Sequence, residues 1–198
     1  MQAKDLRDIY GTPKGRANKK VLAQLEQHTK HFISKSPMVI ISSFDTDGRV
    51  DTSPRGGSPG FVHVLNDSCI IIPDSKGNNR VDSLINIAST GRIGMLFLMP
   101  GIDETLRING AATVSSEPEY LNLFPPSQHP PKTCIVVQIE EVFLHCAKAL
   151  MRSELWNPDR FVARGDFPTM GRMLKDQLGG DEPVERHEDM IKRYQTDL

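Results

Sequence analysis

Residues 78–110 read NNRVDSLINIASTGRIGMLFLMPGIDETLRING, and this stretch decides the fold. Four apolar residues in it recur at the i, i+3, i+4, i+7 spacing of one helical face: Val81, Leu84, Ile85 and Ala88. That spacing predicts a short amphipathic helix. The next segment, Arg92–Met99, is an apolar run typical of a buried strand. Residues 104–110 alternate, which predicts a further strand with Thr105 and Arg107 on the same face.

The turn before the predicted helix carries a cation. Asn78 or Asn79 can cap the helix, because a short amide side chain accepts hydrogen bonds from the free N–H groups of a first turn. Arg80 is expected in the first turn, where the helix dipole favours an acidic residue. An arginine is stable there if an anion shares the site, held by the same amides and by the guanidinium group. The alternative is a solvated surface arginine.

Further strand patterns, separated by turns, lie on both sides of this stretch. They cover residues 38–44, 49–55, 61–65, 69–72 and 133–143. The hairpin-turn sequence DTDG at 45–48 separates the first two. Short strands with a turn about every ten residues predict a mainly β, α+β fold. We expect a small barrel of about six antiparallel strands with helices at its periphery.

The pattern indicates one domain over residues 1–198, with the barrel at 37–145. Residues 1–36 are polar and predicted to be helical, most clearly at 19–32. The segment 146–198 contains three helical patterns, at 148–152, 169–177 and 183–194.

One more short helix is predicted after the central stretch. Residues 116–119 read SEPE, a capping-box sequence for a helix that continues to residue 123.

Composition excludes several classes of protein. The chain has 24 Lys and Arg against 25 Asp and Glu, so nothing indicates a nucleic-acid partner or an anionic membrane surface. Its charged start lacks the apolar segment of a signal peptide, and its longest apolar run, 93–99, is too short to span a bilayer. We expect a cytoplasmic protein with three buried, reduced cysteines: Cys69, Cys134 and Cys146. His28 and His31 lack a third ligand nearby, so no metal site is expected.

Several short motifs follow one another in a distinctive order. They are Ser53-Pro54-Arg55-Gly56, Asn78-Asn79-Arg80, Pro100-Gly101, Glu104-Thr105-Leu106-Arg107, His145-Cys146-Ala147-Lys148-Ala149 and Leu155-Trp156. In their order and spacing, over about residues 38–173, the chain resembles the flavin-binding split-barrel family typified by pyridoxamine 5'-phosphate oxidase. The closer likeness is to a less characterised subgroup, described only as probable FMN-dependent enzymes.

The resemblance implies an FMN site and a set of residues that form it. They are Ser53, Pro54, Arg55, Asp74, Lys76, Asn79, Arg80, Thr105, Arg107, Lys148, Arg152 and Trp156. Lys76, Asn79 and Arg80 would hold the phosphate. The segment 53–55 would meet the pyrimidine edge of the ring, and Thr105 would contact the flavin. The segment 146–156 would reach over the flavin of a partner subunit, which implies a homodimer.

The resemblance also indicates an oxidoreductase that acts on an unknown small molecule. Pyridoxamine phosphate is not the expected substrate, because that enzyme carries an arginine- and proline-containing tail, whereas residues 193–198 read RYQTDL. No catalytic acid–base pair stands out. Two alternatives stay open: a module that binds or stores flavin without turnover, and a member of the same fold that binds deazaflavin or haem.

Overall fold

The structure, a computed structural model, describes residues 1–12, 14–15, 19–181 and 183–197. Within them, seven strands form one antiparallel sheet. They are β1 (Met38–Phe44), β2 (Val50–Gly56), β3 (His63–Asn66), β4 (Cys69–Pro73), β5 (Arg92–Met99), β6 (Ile102–Ser115) and β7 (Cys134–His145). Their order across the sheet is β2-β1-β5-β6-β7-β4-β3. The predicted α+β split barrel is confirmed, with seven strands where about six were expected.

Helices flank this sheet. They are α1 (Ala3–Tyr10), α2 (Gln27–Lys35), α3 (Asp82–Thr90), α4 (Pro118–Leu121), α5 (Lys148–Ser153), α6 (Met170–Leu178) and α7 (His187–Gln195). Two 3₁₀ turns, Pro158–Arg160 and Arg164–Asp166, lie between α5 and α6. Among the described residues, no helix is both long and apolar enough to span a membrane.

The predicted helix at 19–32 is wrong over residues 20–26, which are not helical. Helix α2 begins only at Gln27, where Glu26 accepts hydrogen bonds from the first-turn amides. Leu22 instead forms an isolated bridge to Val142 in β7, through backbone hydrogen bonds of 3.0 and 2.8 Å. This extended segment places Leu25 in the core. Residues 13 and 16–18, also predicted to be helical, lie outside the described residues, as do 182 and 198.

The core occupies the inner face of the sheet. Strand β1 alternates exposed and buried positions, with Val39 and Ile41 fully buried. Their cross-strand neighbours on β5, Phe97 and Met95, are buried as well. Helix α2 adds Phe32 and Ile33 and helix α3 adds Ile87 to the same cluster. Burial of this apolar surface is the main force that stabilises the barrel.

A smaller cluster lies on the other face of β4 and β7, where Tyr120 and Leu121 pack against buried Cys69 and Cys134. Burial raises the pKa of both thiols, so they are neutral at physiological pH. The third cysteine, Cys146, is exposed, contrary to expectation. The predicted capping box is also wrong, since the N-cap residue Glu117 makes no side-chain cap hydrogen bond.

The buried face of helix α3 differs from the predicted one. Its buried residues are Ser83, Asn86 and Ile87, whereas Val81 and Ile85, expected on the apolar face, are exposed. The polar inner face is satisfied from the barrel: Ser83 donates to Asp51 on β2 at 2.7 Å, and Asn86 donates to Ser43 on β1 at 3.2 Å. Hydrophobic periodicity alone cannot detect a helix that packs through hydrogen bonds.

A β-bulge in β7 lies beside a point where β6 and β7 approach closely. The register between β6 and β7 shifts between Asn109 and Gly110. A Cβ atom at Gly110 would collide with the backbone carbonyl of Gln138. This position therefore requires glycine.

Candidate functional site

The half-buried face of β2 forms one side of the candidate site. Asp51, Ser53 and Arg55 lie on this face, because they alternate with exposed residues along the strand. The segment 74–83 is bonded to both ends of the face, through Asp74 to Arg55 and through Ser83 to Asp51. The two anchor points on β2 are four residues apart, about 13 Å. We call this region, the β2 face with the segment 74–83, the strip.

Arg55 closes one end of the strip. Its Nη1 donates to Asp74 Oδ1 at 2.6 Å, and the two side chains are only 18% and 20% exposed. Because β2 and β4 lie on opposite sides of the sheet order, this pair helps to close the barrel. The Nε atom of Arg55 is buried and has no hydrogen-bond partner among the described residues. A buried donor left unpaired is costly, so Nε is suited to bind an acceptor on a ligand.

The two other cations of the strip are paired with carboxylates. Lys76 Nζ lies 2.5 Å from Asp197 Oδ1, and Arg80 Nη2 lies 2.8 Å from Asp82 Oδ2. The hydrogen bond from Lys76 holds the pKa of the Asp197 carboxyl below its usual range. Both pairs are substantially exposed, and exposed pairs contribute little stability. An incoming phosphate would therefore compete with weakly held partners.

The turn before α3 differs in detail from the predicted helix cap. Arg80 precedes the helix, and Val81 is the N-cap residue, without a side-chain hydrogen bond to the first turn. Asn78 Oδ1 accepts from the Arg80 backbone N–H at 3.2 Å, so it stabilises the turn and does not cap the helix. Asn79 and Val81 have φ angles of 61° and 50°. This left-handed conformation is strained for a β-branched residue such as Val81.

A second group of predicted residues lies on β6. Thr105 is buried, and Arg107 is exposed with its guanidinium 5.6 Å from the ring centre of Phe143. Lys20 lies over the same ring at 5.4 Å and donates to the Leu144 carbonyl at 2.8 Å.

The last three predicted residues lie next to the start of β6. Trp156 Nε1 donates to the Ile102 carbonyl at 3.0 Å, which fixes the segment after α5 against this strand. Lys148 and Arg152 are exposed on α5. Among the described residues, no hydrogen bond or ion pair joins these three side chains to the strip.

The strand register explains why Thr105 and Arg107 lie apart from Arg55. Arg55 lies opposite Val39, Val39 opposite Phe97, and Phe97 opposite Leu106. Directly opposed residues share a face, so Arg55 points to the same side of the sheet as buried Leu106. Thr105 and Arg107 flank Leu106 and point to the outer side. Pro54, next to Arg55, also lies on the outer side and does not contribute a side chain to the strip.

Sequence reasoning missed several residues of this region. Asp51 and Ser83 anchor the strip. Lys20 and Phe143 belong with the residues on or beside the outer side of the sheet, which we call the outer group: Thr105, Arg107, Lys148, Arg152 and Trp156. Alternation along β2 places Asp51 on the same face as Arg55, so that signal was present in the sequence. No local signal connects Lys20 to Phe143, which are far apart in the chain.

The chemistry available in the region is binding and orientation. The strip offers a buried guanidinium, two exposed cations and the uncapped start of α3, a combination suited to a phosphate-bearing ligand. Among the described residues, no group of three His, Cys, Asp or Glu could hold a metal ion.

Comparisons with known proteins identify the family. The family model for pyridoxamine 5'-phosphate oxidase matches residues 25–146. None of the curated proteins matches the chain. Among solved structures, a candidate pyridoxamine 5'-phosphate oxidase from Lactobacillus delbrueckii is 19% identical, with 63% of this chain and 98% of that chain covered and a TM-score of 0.50.

Two other solved structures are similar at lower TM-scores. An FMN-binding protein from Syntrophomonas wolfei is 15% identical, with 59% of this chain and 88% of that chain covered and a TM-score of 0.44. The conserved hypothetical protein Rv2991 from Mycobacterium tuberculosis is 13% identical, with 78% and 100% covered and a TM-score of 0.48. The family model matches more than half of the sequence, and the sheet has the expected architecture. The chain therefore belongs to the flavin-binding family of pyridoxamine 5'-phosphate oxidase.

Proposed function

We propose that this protein is an FMN-dependent oxidoreductase that acts on a small molecule, with the flavin at the interface of a homodimer. The observation that carries the proposal is the Arg55 guanidinium at one end of the strip, which is held by Asp74 and whose buried Nε has no hydrogen-bond partner among the described residues. Family membership supports a flavin as the ligand. A cytoplasmic location is part of the same proposal.

The proposed roles follow the positions of the side chains. Lys76, Asn79 and Arg80 bind the phosphate, with the first-turn amides of α3 behind them. Ser53 and Arg55 meet the polar edge of the ring. When bound, FMN supplies the electron-transfer chemistry, and the protein supplies orientation and electrostatics.

The dimer accounts for the two separated residue groups. Thr105, Arg107, Lys148, Arg152 and Trp156 lie on the outer side of the sheet or beside it, away from the strip. In the proposed dimer this outer group of one subunit completes the site whose strip comes from the other. A position beside the flavin would also give Arg107, Lys148 and Arg152 an anionic partner.

A titration with FMN tests the ligand. We expect saturable quenching of flavin fluorescence at one FMN per subunit. Arg80→Ala removes a hydrogen bond to a charged group and should weaken binding by about 1.5–3 kcal/mol. Arg80→Glu should weaken it further, because it adds repulsion to the lost pair. A wild-type protein that leaves FMN fluorescence unchanged would refute the proposal.

A flavin-binding module without turnover is the second candidate, and the lack of an evident acid–base pair among the described residues favours it. Stopped-flow reduction of the bound flavin by NADH, NADPH and pyridoxamine 5'-phosphate, followed by reoxidation with oxygen, separates the two. Reduction no faster than that of free FMN with every donor would favour the binding module. The absorbance spectrum of the purified protein separates FMN from deazaflavin and haem.

A further inference from the structure

The segment that follows α7 lies against the strip. Thr196 and Asp197, which we call the strap, contact two loops far away in sequence. Lys76 on the strip is paired with Asp197 at 2.5 Å, and His129 lies 2.8 Å from the Thr196 carbonyl through its Nε2. The strap therefore joins the loop before α3 to the loop before β7.

Helix α7 positions the strap. Its Met190 is buried, and Arg193 forms two hydrogen bonds of 3.0 Å with Glu185. The backbone N–H groups of Thr196 and Asp197 continue the helical pattern by donating to the Arg193 and Tyr194 carbonyls. The Asp197 carboxylate is thus presented by an ordered element.

Asp197 differs from the other carboxylate partner in the strip. Asp82 is two residues from Arg80 and moves with the same turn. Asp197 is 121 residues from Lys76, so its contact with the loop depends on the position of α7. A phosphate group carries more charge and more acceptor oxygens than a carboxylate, and the Lys76–Asp197 pair is 46% and 40% exposed. A phosphate can therefore replace Asp197 at Lys76.

We propose that the strap is a displaceable occupant of the phosphate position: Asp197 holds Lys76 when the site is empty, and a phosphate-bearing ligand releases the strap when it binds. The inference rests on the proposed FMN site. It has a reciprocal consequence, because two anions that compete for one cation weaken each other's binding by the same factor. Removal of the Asp197 charge must then strengthen ligand binding.

The test compares four proteins by FMN titration: the wild type, Asp197→Asn, Lys76→Gln and the double variant. Asp197→Asn should bind FMN about 1.5- to fivefold more tightly, the factor expected for loss of a competing exposed ion pair. Lys76→Gln should bind more weakly. In the Lys76→Gln background the Asp197→Asn change should have no effect, because the shared partner is gone.

Asp176→Asn is the matched control. Asp176 is an exposed carboxylate paired with Arg172 on α6, without contact to the strip. Its substitution should leave FMN affinity unchanged. A second readout is hydrogen exchange at the Thr196 and Asp197 amides, which should become faster when FMN binds to the wild type.

Each outcome decides between the two proposals. Equal affinities of Asp197→Asn and Asp176→Asn, or weaker binding by Asp197→Asn, would overturn the strap and leave the FMN site standing. Slower or unchanged exchange at Thr196 and Asp197 on FMN binding would also overturn the strap. Failure of every variant to bind FMN would overturn the proposed function, and the strap with it.

Discussion

At the scale of single residues, the Arg55–Asp74 pair combines a structural and a binding property. The guanidinium is four-fifths buried and has one carboxylate partner. Its Nε has none among the described residues. The pair therefore holds a cation at one end of the strip and helps to join the two sides of the sheet. In the exposed pairs of Lys76 and Arg80, by contrast, solvent screens most of the attraction.

Asp74→Asn tests the structural part of this pair. The substitution removes the charged partner of a mostly buried arginine, so we expect the free energy of unfolding to fall by about 1–3 kcal/mol. Urea unfolding followed by circular dichroism measures this loss. Asp176→Asn breaks an exposed pair and should change the stability far less. Equal effects of the two substitutions would show that burial of the Arg55 pair does not matter for stability.

At the scale of elements, apolar strands were predictable and polar packing was not. The predicted bounds of β1 and β5 agree with the structure, because both strands are mainly apolar runs with definite turns beside them. The buried face of α3 was predicted wrongly, because Ser83 and Asn86 pack through hydrogen bonds to distant strands.

In the candidate site, too, local motifs were predictable and long-range polar contacts were not. The strip could be assembled from local motifs, since Ser53, Arg55 and Arg80 all lie close to turns with recognisable sequences. Their partners could not be predicted in the same way. The contact of Lys76 with Asp197 joins residues 121 positions apart, and no local pattern encodes it.

Gly110→Ala tests the close approach of β6 and β7. A methyl group there meets the Gln138 carbonyl, so the strands must separate or the bulge must move. We expect a loss of about 3 kcal/mol in the free energy of unfolding, at the upper end for overpacked sites. Gly165→Ala is the control, because the added Cβ has open space around it. Thermal unfolding of both variants gives the comparison, and similar melting temperatures would show that the approach of the two strands does not constrain this position.

At the scale of the whole molecule, the outer face of the sheet offers a surface for a second copy. Ile40 and Leu96 lie opposite each other on it and are half-buried, and Met38 and Phe44 on β1 are 38% and 39% exposed. Contiguous apolar side chains on an uncovered sheet face are typical of an interaction surface. The surface adjoins Arg107, which lies directly opposite Leu96. A dimer formed there would place the outer group within the interface.

Leu96→Glu tests this dimer. A charge in the centre of an apolar interface is unpaired when buried, so we expect the variant to sediment as a monomer. Its FMN affinity should fall about tenfold or more, because the shared site is lost. Leu65→Glu, on the exposed side of β3, is the control and should leave both properties unchanged. A wild type that sediments as a monomer while fully loaded with FMN would contradict the shared site.

The bridge between Leu22 and Val142 has a consequence for the synthesis of the chain on the ribosome. The two residues are 120 positions apart, and at 5–20 residues per second roughly 6–24 s separate their appearance. Leu25, which is 2% exposed in the finished fold, lacks this neighbouring strand throughout that interval. Strand β4 is likewise synthesised before β7, the strand with which it pairs. The nascent chain thus exposes apolar segments until β7 has emerged, and this interval is when a chaperone would bind it.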